Sequence, residues 1–204
     1  MTPVADSRES GDIDRPVACI EIEASSPILP GAVPIEIAIS DVDSGATKSW
    51  LVAPPHRRWG DAAWDPPERR PHKISPSMLL AEGHPVEIVR AELTAAAAGH
   101  VVVSDAVFTD GALLGALYGQ APPFELGSIS EVIRSLVRHL EREDALLAVS
   151  RAMNEAFARI PNVHRAGPDA RRWAEVIRIL PGDRMRGRGD ATNSVRLVAD
   201  SELR

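Results

Sequence analysis

Residues 18–27 read ACIEIEASSP, a run in which Glu21 and Glu23 interrupt apolar positions at alternate places. Alternation of this kind is the pattern of a β-strand, whose successive side chains point to opposite faces. Val17, Cys19, Glu21 and Glu23 then share one face, and Ala18, Ile20, Ile22 and Ala24 share the other. Two carboxylates so close repel each other, and on a partly buried face one of them takes up a proton unless a cation lies between them. A solvated strand face accounts for the same residues, so the pair has two readings until the rest of the chain is considered.

Working outward, VPIEIAIS (33–40) follows the turn residues Pro30 and Gly31, and TKSWLVAP (47–54) follows DVDSGA (41–46). Short connections containing Gly and Asp predict an antiparallel meander of three strands. The stretch 54–75, rich in Pro and Arg and bearing Trp59 and Trp64, reads as a long loop of the kind that binds a ligand or moves. SPSMLLAEG (75–83) and PVEIVRAELTAAAAG (85–99) predict helices, each closed by a glycine at C′. HVVVSD (100–105) reads as a short buried strand, and GALLGALYG (111–119) as an apolar helix. An amphipathic helix is expected over SISEVIRSLVRHLERED (128–144), with Ser128 or Ser130 as N-cap. Two more follow, over ALLAVSRAMNEAFARI (145–160) and DARRWAEVIRIL (169–180), before Pro181 and Gly182. Strands, helices, a strand and more helices in this order imply a mixed sheet with helices packed on it.

The 204 residues suit one α/β domain. We expect a flexible polar lead over 1–16, one domain over 17–180 and a basic, then polar, tail over 181–204. The lead has the features of neither a signal peptide nor an anchor, and no apolar run reaches the roughly 18 residues that a spanning helix needs. A soluble, cytoplasmic protein is expected. A net charge of −6 excludes binding of polyanions by bulk charge, so contact with nucleic acid must be local or bridged by metal ions. Cys19 is the only cysteine, which excludes an intramolecular disulfide and any cysteine-rich zinc module.

Two polar clusters fall at informative places. In SDAVFTDGALL (104–114), Asp105 follows a buried strand and Asp110 opens a helix, where its charge suits the helix dipole. Ligands gather at strand ends in open α/β sheets; an N-cap role accounts equally for either acid alone. In HRAGPDA (164–170), Pro168 fits the first position of a helix. That puts His164 in the loop before it, whereas within one helix His164 and Asp169 would splay by about 140°. Glu21, Glu23, Asp110 and Asp169 are hard oxygen donors, which suit Mg²⁺ or Mn²⁺.

Together these motifs resemble the DEDDh family of 3′-to-5′ exonucleases, which includes polymerase proofreading subunits and RNA-trimming enzymes. EIEASS stands for the family's Asp-x-Glu motif, with Glu21 at the aspartate place; SDAVFTDGALL is similar to the second motif, with Asp110 as ligand and Asp105 a neighbour outside the ligand set; HRAGPDA matches the third. The resemblance, over residues 17 to 180, implies a ribonuclease-H-like mixed five-stranded sheet flanked by helices. It implies two Mg²⁺ or Mn²⁺ ions held by Glu21, Glu23, Asp110 and Asp169, with His164 as general base. His72, Lys73, Ile74, Ser25 and Phe108 are expected to contact the substrate, a single-stranded nucleic acid or short oligonucleotide released as nucleoside 5′-monophosphates. Trp59 and Trp64 are further candidates for stacking on a base, and the arginines at 165, 171, 172, 178, 184, 186 and 188 for positive charge. Dimerisation, common in the family, is expected too. Glu21 is the departure: its extra methylene displaces a carboxylate whose geometry matters to about 0.5 Å. The alternatives are an exonuclease-like regulatory protein with weakened or lost turnover, and a metal hydrolase acting on small phosphate esters.

Overall fold

A computed structural model describes residues 12–13, 15–27, 31–53, 71–161, 164–180 and 195–196. Trp59, Trp64, Arg184, Arg186, Arg188, the Pro181–Gly182 stop and most of the expected lead and tail lie outside the described residues.

The short β1 (Asp12–Ile13) and β7 (Val195–Arg196) pair with each other, antiparallel. The main sheet is built from β2 (Val17–Ala24), β3 (Pro34–Asp41), β4 (Thr47–Leu51), β5 (Val101–Ser104) and β6 (Leu126–Ser128), in the order β4-β3-β2-β5-β6. The first three form the expected antiparallel meander, and β5 and β6 continue from β2 in parallel. This is the mixed five-stranded sheet that the resemblance implied. Four of these strands are legible in the residues alone; LGS, the three residues of β6, is too short to carry a period.

Helices cover both faces, as the parallel half of the sheet requires. Ala18, Ile20, Ile37, Ile39 and Val102 pack against α2 (Val86–Ala97) and α3 (Val107–Tyr118). Val17, Cys19, Val101 and Val103 pack against α4 (Ile129–Val137), α5 (Arg142–Arg159) and α6 (Ala166–Ile179). Glu21 and Glu23 therefore stand on the face of the sheet that α6 covers. The β3–β4 turn is held by Asp41, which accepts from the backbone N–H of Ser44 at 2.6 Å and meets His100 Nε2 at 3.0 Å.

Several boundaries differ from expectation. The helix expected over 128–144 is broken: α4 ends at Val137, Leu140 N–H bonds Val137 O at 3.0 Å, and α5 starts at Arg142. That turn lets half-buried Leu140 pack on the core and sends α5 back along it. Helix α3 starts at Val107, four residues before the apolar run. Gly99 has the positive φ of +79° expected after α2, but Gly83, after α1 (Pro76–Glu82), is extended with φ −72°. Close approach explains it, since a Cβ there would lie 2.3 Å from Leu79 O and 2.7 Å from Ala53 N. Helix α6 starts at Ala166, so Pro168 is its third residue, still in the first turn, where no intrahelical partner awaits its missing N–H.

Ala38 on β3 and Ala166 and Ala170 on α6 form a buried cluster of small side chains. Their size lets α6 lie close to β2 and β3, and Ala38 is the cross-strand partner of Glu21. Ala38→Leu would overpack this contact at a cost of about 1–3 kcal/mol. We expect a melting temperature lower by roughly 2–12 °C in thermal denaturation, at about 2–4 °C per kcal/mol for a chain of this size.

Candidate active site

Strand β2 runs from a buried half, Val17 to Ile20, to a half-exposed half, Glu21 to Ala24. The change from apolar to acidic side chains on one face coincides with the C-terminal end of the neighbouring parallel strand β5. Three acids converge there. Glu21, Asp105 just after β5, and Asp110 in the first turn of α3 each place a carboxylate oxygen within 4.8 Å of the others. Among the described residues, Glu23 and Asp169 are not in that group. Asp105, expected to stand outside the ligand set, is a member of this group of neighbouring carboxylates.

Local structure fixes the group. Ser104, the last residue of β5, donates its hydroxyl to Asp110 Oδ2 at 2.5 Å and accepts the Ala106 N–H at 2.8 Å, so one serine sets both the α3 entry and the acid. Trp173 of α6 donates its indole N–H to Asp105 Oδ2 at 3.0 Å. Asp110 is only 3% exposed. One carboxylate oxygen of Glu21 is buried with no hydrogen-bond partner, an arrangement that a divalent cation would satisfy. The donor set is all oxygen and fits a hard cation such as Mg²⁺ or Mn²⁺ better than zinc.

The electrostatics follow from crowding. Burial, and then the charges of Asp105, Asp110 and Asp169, push Glu21 up from 4.5 to about 9. Burial pushes Asp110 up from 3.8 to about 7, with Asp105 adding to the rise and the Ser104 hydrogen bond opposing it. Asp169 is also raised, chiefly by burial, while Arg172 and His164 pull it down.

The remaining expected residues are placed as follows. Asp169 sits in the first turn of α6, in an ion pair with Arg172. His164, exposed and with a φ of +48°, precedes that helix as expected. Glu23 is half-buried, opposite Glu36 in the β2–β3 register. Buried Glu36 accepts from Arg165 Nε at 2.8 Å and Nη2 at 2.7 Å, and from the Ala166 N–H at 3.0 Å. It thus caps α6 from across the sheet. Ser25 is buried, its hydroxyl accepting the Val33 N–H at 3.1 Å to close the β2–β3 connection. His72 and Ile74 are buried, joined by a hydrogen bond from Ile74 N–H to His72 Nδ1 at 2.9 Å, while Lys73 between them is exposed with a φ of +55°. Phe108 is 85% exposed at the start of α3.

The arginines expected to meet substrate divide. Arg165 is engaged by Glu36, and Arg178 by Glu175, which also holds Arg159. Arg172 is buried, and Arg171 is exposed. The sequence gives no sign that Asp105 meets Trp173 or that Arg172 is buried, although Trp173 lies four residues after Asp169, one helical turn on.

Among solved structures, the nuclease domain of 3′hExo, a DEDDh family member bound to rAMP, superposes with a TM-score of 0.57 at 15% identity, over 95% of this chain and 100% of that one. The chain has the DEDDh exonuclease fold. E. coli exonuclease I in complex with a dA16 oligonucleotide gives a TM-score of 0.56 at 14% identity, over 79% of this chain and 39% of that one. Exonuclease I from Methylocaldum szegediense gives 0.51 at 13%, over 86% and 41%. The chain thus spans about two fifths of the length of exonuclease I. No family model and no curated protein matches the sequence. Among the described residues, no helix is long and apolar enough to cross a membrane.

Raised carboxylate pKa values have a definite sign. A group that is harder to ionise when folded gives its full stability below its unfolded pKa, and that stability is lost as pH rises through the folded value. Without divalent ions, the melting temperature should therefore fall from about pH 4 upward, through about 7 for Asp110 and about 9 for Glu21. Scanning calorimetry in chelator across pH 5 to 9.5 checks this. Asp110→Asn should flatten the lower part of the profile and Glu21→Gln the upper, and profiles identical to wild type would contradict the assignment.

Proposed function

We propose that this protein is a metal-dependent 3′-to-5′ exonuclease that trims single-stranded RNA or DNA to nucleoside 5′-monophosphates. The observation that carries the proposal is the convergence of Glu21, Asp105 and Asp110 around a buried, unpartnered carboxylate oxygen at the ends of β2 and β5. Its place in a fold shared with exonucleases solved with rAMP or with an oligonucleotide supports it.

Glu21, Asp105 and Asp110 would hold the divalent cation, with Glu23 and Asp169 in the surrounding acidic shell. When bound, such a cation would supply activation of water and offset charge on the leaving 3′ oxygen. His164 accepts the proton of the attacking water at a ring nitrogen, a role suited to an imidazole. Its place just outside α6 leaves the ring accessible while Asp169 lies on the helix beside it. We assign Phe108, exposed in the first turn of α3, to stacking on the terminal base, an interaction worth about 1–3 kcal/mol. Within HKI, Lys73 is the side chain presented to solvent and the one able to meet a phosphate.

Incubation of 5′-labelled single-stranded RNA and DNA with Mn²⁺ or Mg²⁺ tests the reading. Stepwise shortening with release of 5′-mononucleotides is expected. Asp110→Ala should abolish it, and His164→Ala should slow it by about 10²- to 10⁴-fold, the usual worth of a general base. Turnover that survives both substitutions would sink the assignment. Binding without release would favour a regulatory protein, a reading that Glu21 at the usual aspartate place supports. Glu21→Asp separates the two, because an enzyme with a handicapped site should gain rate.

A further inference from the structure

A buried cation inside an acidic centre is costly unless its charge is used. Arg172 lies on α6 three residues after Asp169 and is 6% exposed. Its Nη2 donates to Asp169 Oδ1, while Nε and Nη1 are buried with no hydrogen-bond partner. The guanidinium rests over the Phe157 ring of α5, with Cζ 4.6 Å from the centroid. Phe157 meets Trp173 edge to face at 6.1 Å between centroids, and Trp173 in turn donates to Asp105. Two helices therefore fix this guanidinium between an aromatic face and a carboxylate of the site, where it cannot reach out to a nucleic-acid backbone.

We propose that Arg172 replaces one of two cations, so that the centre binds a single divalent ion through Glu21, Asp105 and Asp110, with Asp169 held by the protein's own positive charge. The inference rests on the metal-dependent reading above. Its geometry is that of a divided acid set. Three carboxylates gather within ligating distance of one another, and Asp169, outside that group, already has its counter-charge. A second dication at Asp169 would have to sit against a guanidinium that burial prevents from swinging into water. In this role Arg172 is a positioning residue: it sets the number of ions and the place of Asp169 without touching the reacting atoms.

Counting Mn²⁺ on the full chain by electron paramagnetic resonance, with calorimetric titration for affinity, tests this without reference to turnover. Wild type should bind one Mn²⁺ and show no spin-coupled pair. Arg172→Met, which keeps an apolar stem against Phe157, should admit a second ion, with the coupled signal of adjacent Mn²⁺. Arg172→Lys, which keeps the charge, should still bind one. Two ions of similar affinity in the wild type would overturn the inference while leaving the metal-dependent reading intact, and so would a folded Met variant that binds only one. Should the Met variant fail to fold, the wild-type count and the Lys variant decide by the same criteria. No Mn²⁺ bound to the wild type at millimolar concentration would overturn the metal-dependent reading, and this inference with it.

Discussion

Mutual repulsion of carboxylates at the ends of β2 and β5 is the constraint around which this structure is arranged. Glu21 is flanked on its own strand face by buried Cys19 and half-buried Glu23, and it faces Asp105 and Asp110 from the neighbouring strand and helix. Such a group opposes folding as pH rises, and the core below must outweigh it. That core is two-sided: one face of the sheet packs on α2 and α3, the other on α4 to α6. Burial also pushes the thiol of Cys19 up, which leaves it a small apolar side chain beneath the acids and no nucleophile.

The helix that completes the site is held by a separate device. Glu36 reaches from β3 to the first N–H of α6 and to the guanidinium of Arg165, joining strand and helix through one buried carboxylate. The Ala38, Ala166 and Ala170 cluster then brings the helix close enough for Asp169 to be felt at Glu21. An acid that looks like a third member of the strand pattern, IEIEA echoed by IEIA, serves here as an anchor. The two glutamate-bearing strands thus divide their labour, β2 supplying the site and β3 the fastening.

Much of this was legible in the sequence because period and position carry it. The alternation in 17–24 gives β2 over Val17–Ala24, and the glycine and aspartate turns give the meander. Asp110 stands out in the sequence at the opening of a helix and His164 in the loop before one, and the structure has Asp110 in the first turn of α3 and His164 just ahead of α6. What escaped notice depends on long-range contact. Strand β6 is three residues long and exists because β5 offers it an edge. Asp105 reads as a bystander until the distance to Glu21 is known, and Trp173 joins it only through an indole N–H 68 residues away along the chain. Arg172 fits an exposed basic face as well as a buried one, and only the Phe157 ring across α5 distinguishes them.

The arginines bear on how an acidic chain could hold a polyanion. A cluster of positive residues near the last helix suggests a surface that meets phosphates by simple attraction. The structure engages Arg165 with Glu36, Arg159 and Arg178 with Glu175, and Arg172 with Asp169. Each of these charges is matched before any ligand arrives, and a nucleic acid would have to compete with a carboxylate for it. In HKI and along α6, Lys73 and Arg171 are the exposed basic residues that would be left to meet a backbone on the proposed reading. On that reading, neutralising phosphate would fall mainly to the cation held at the carboxylate cluster. Attraction would then be short-ranged: it would act on a terminal phosphodiester brought to the centre and offer little to the length of strand beyond it.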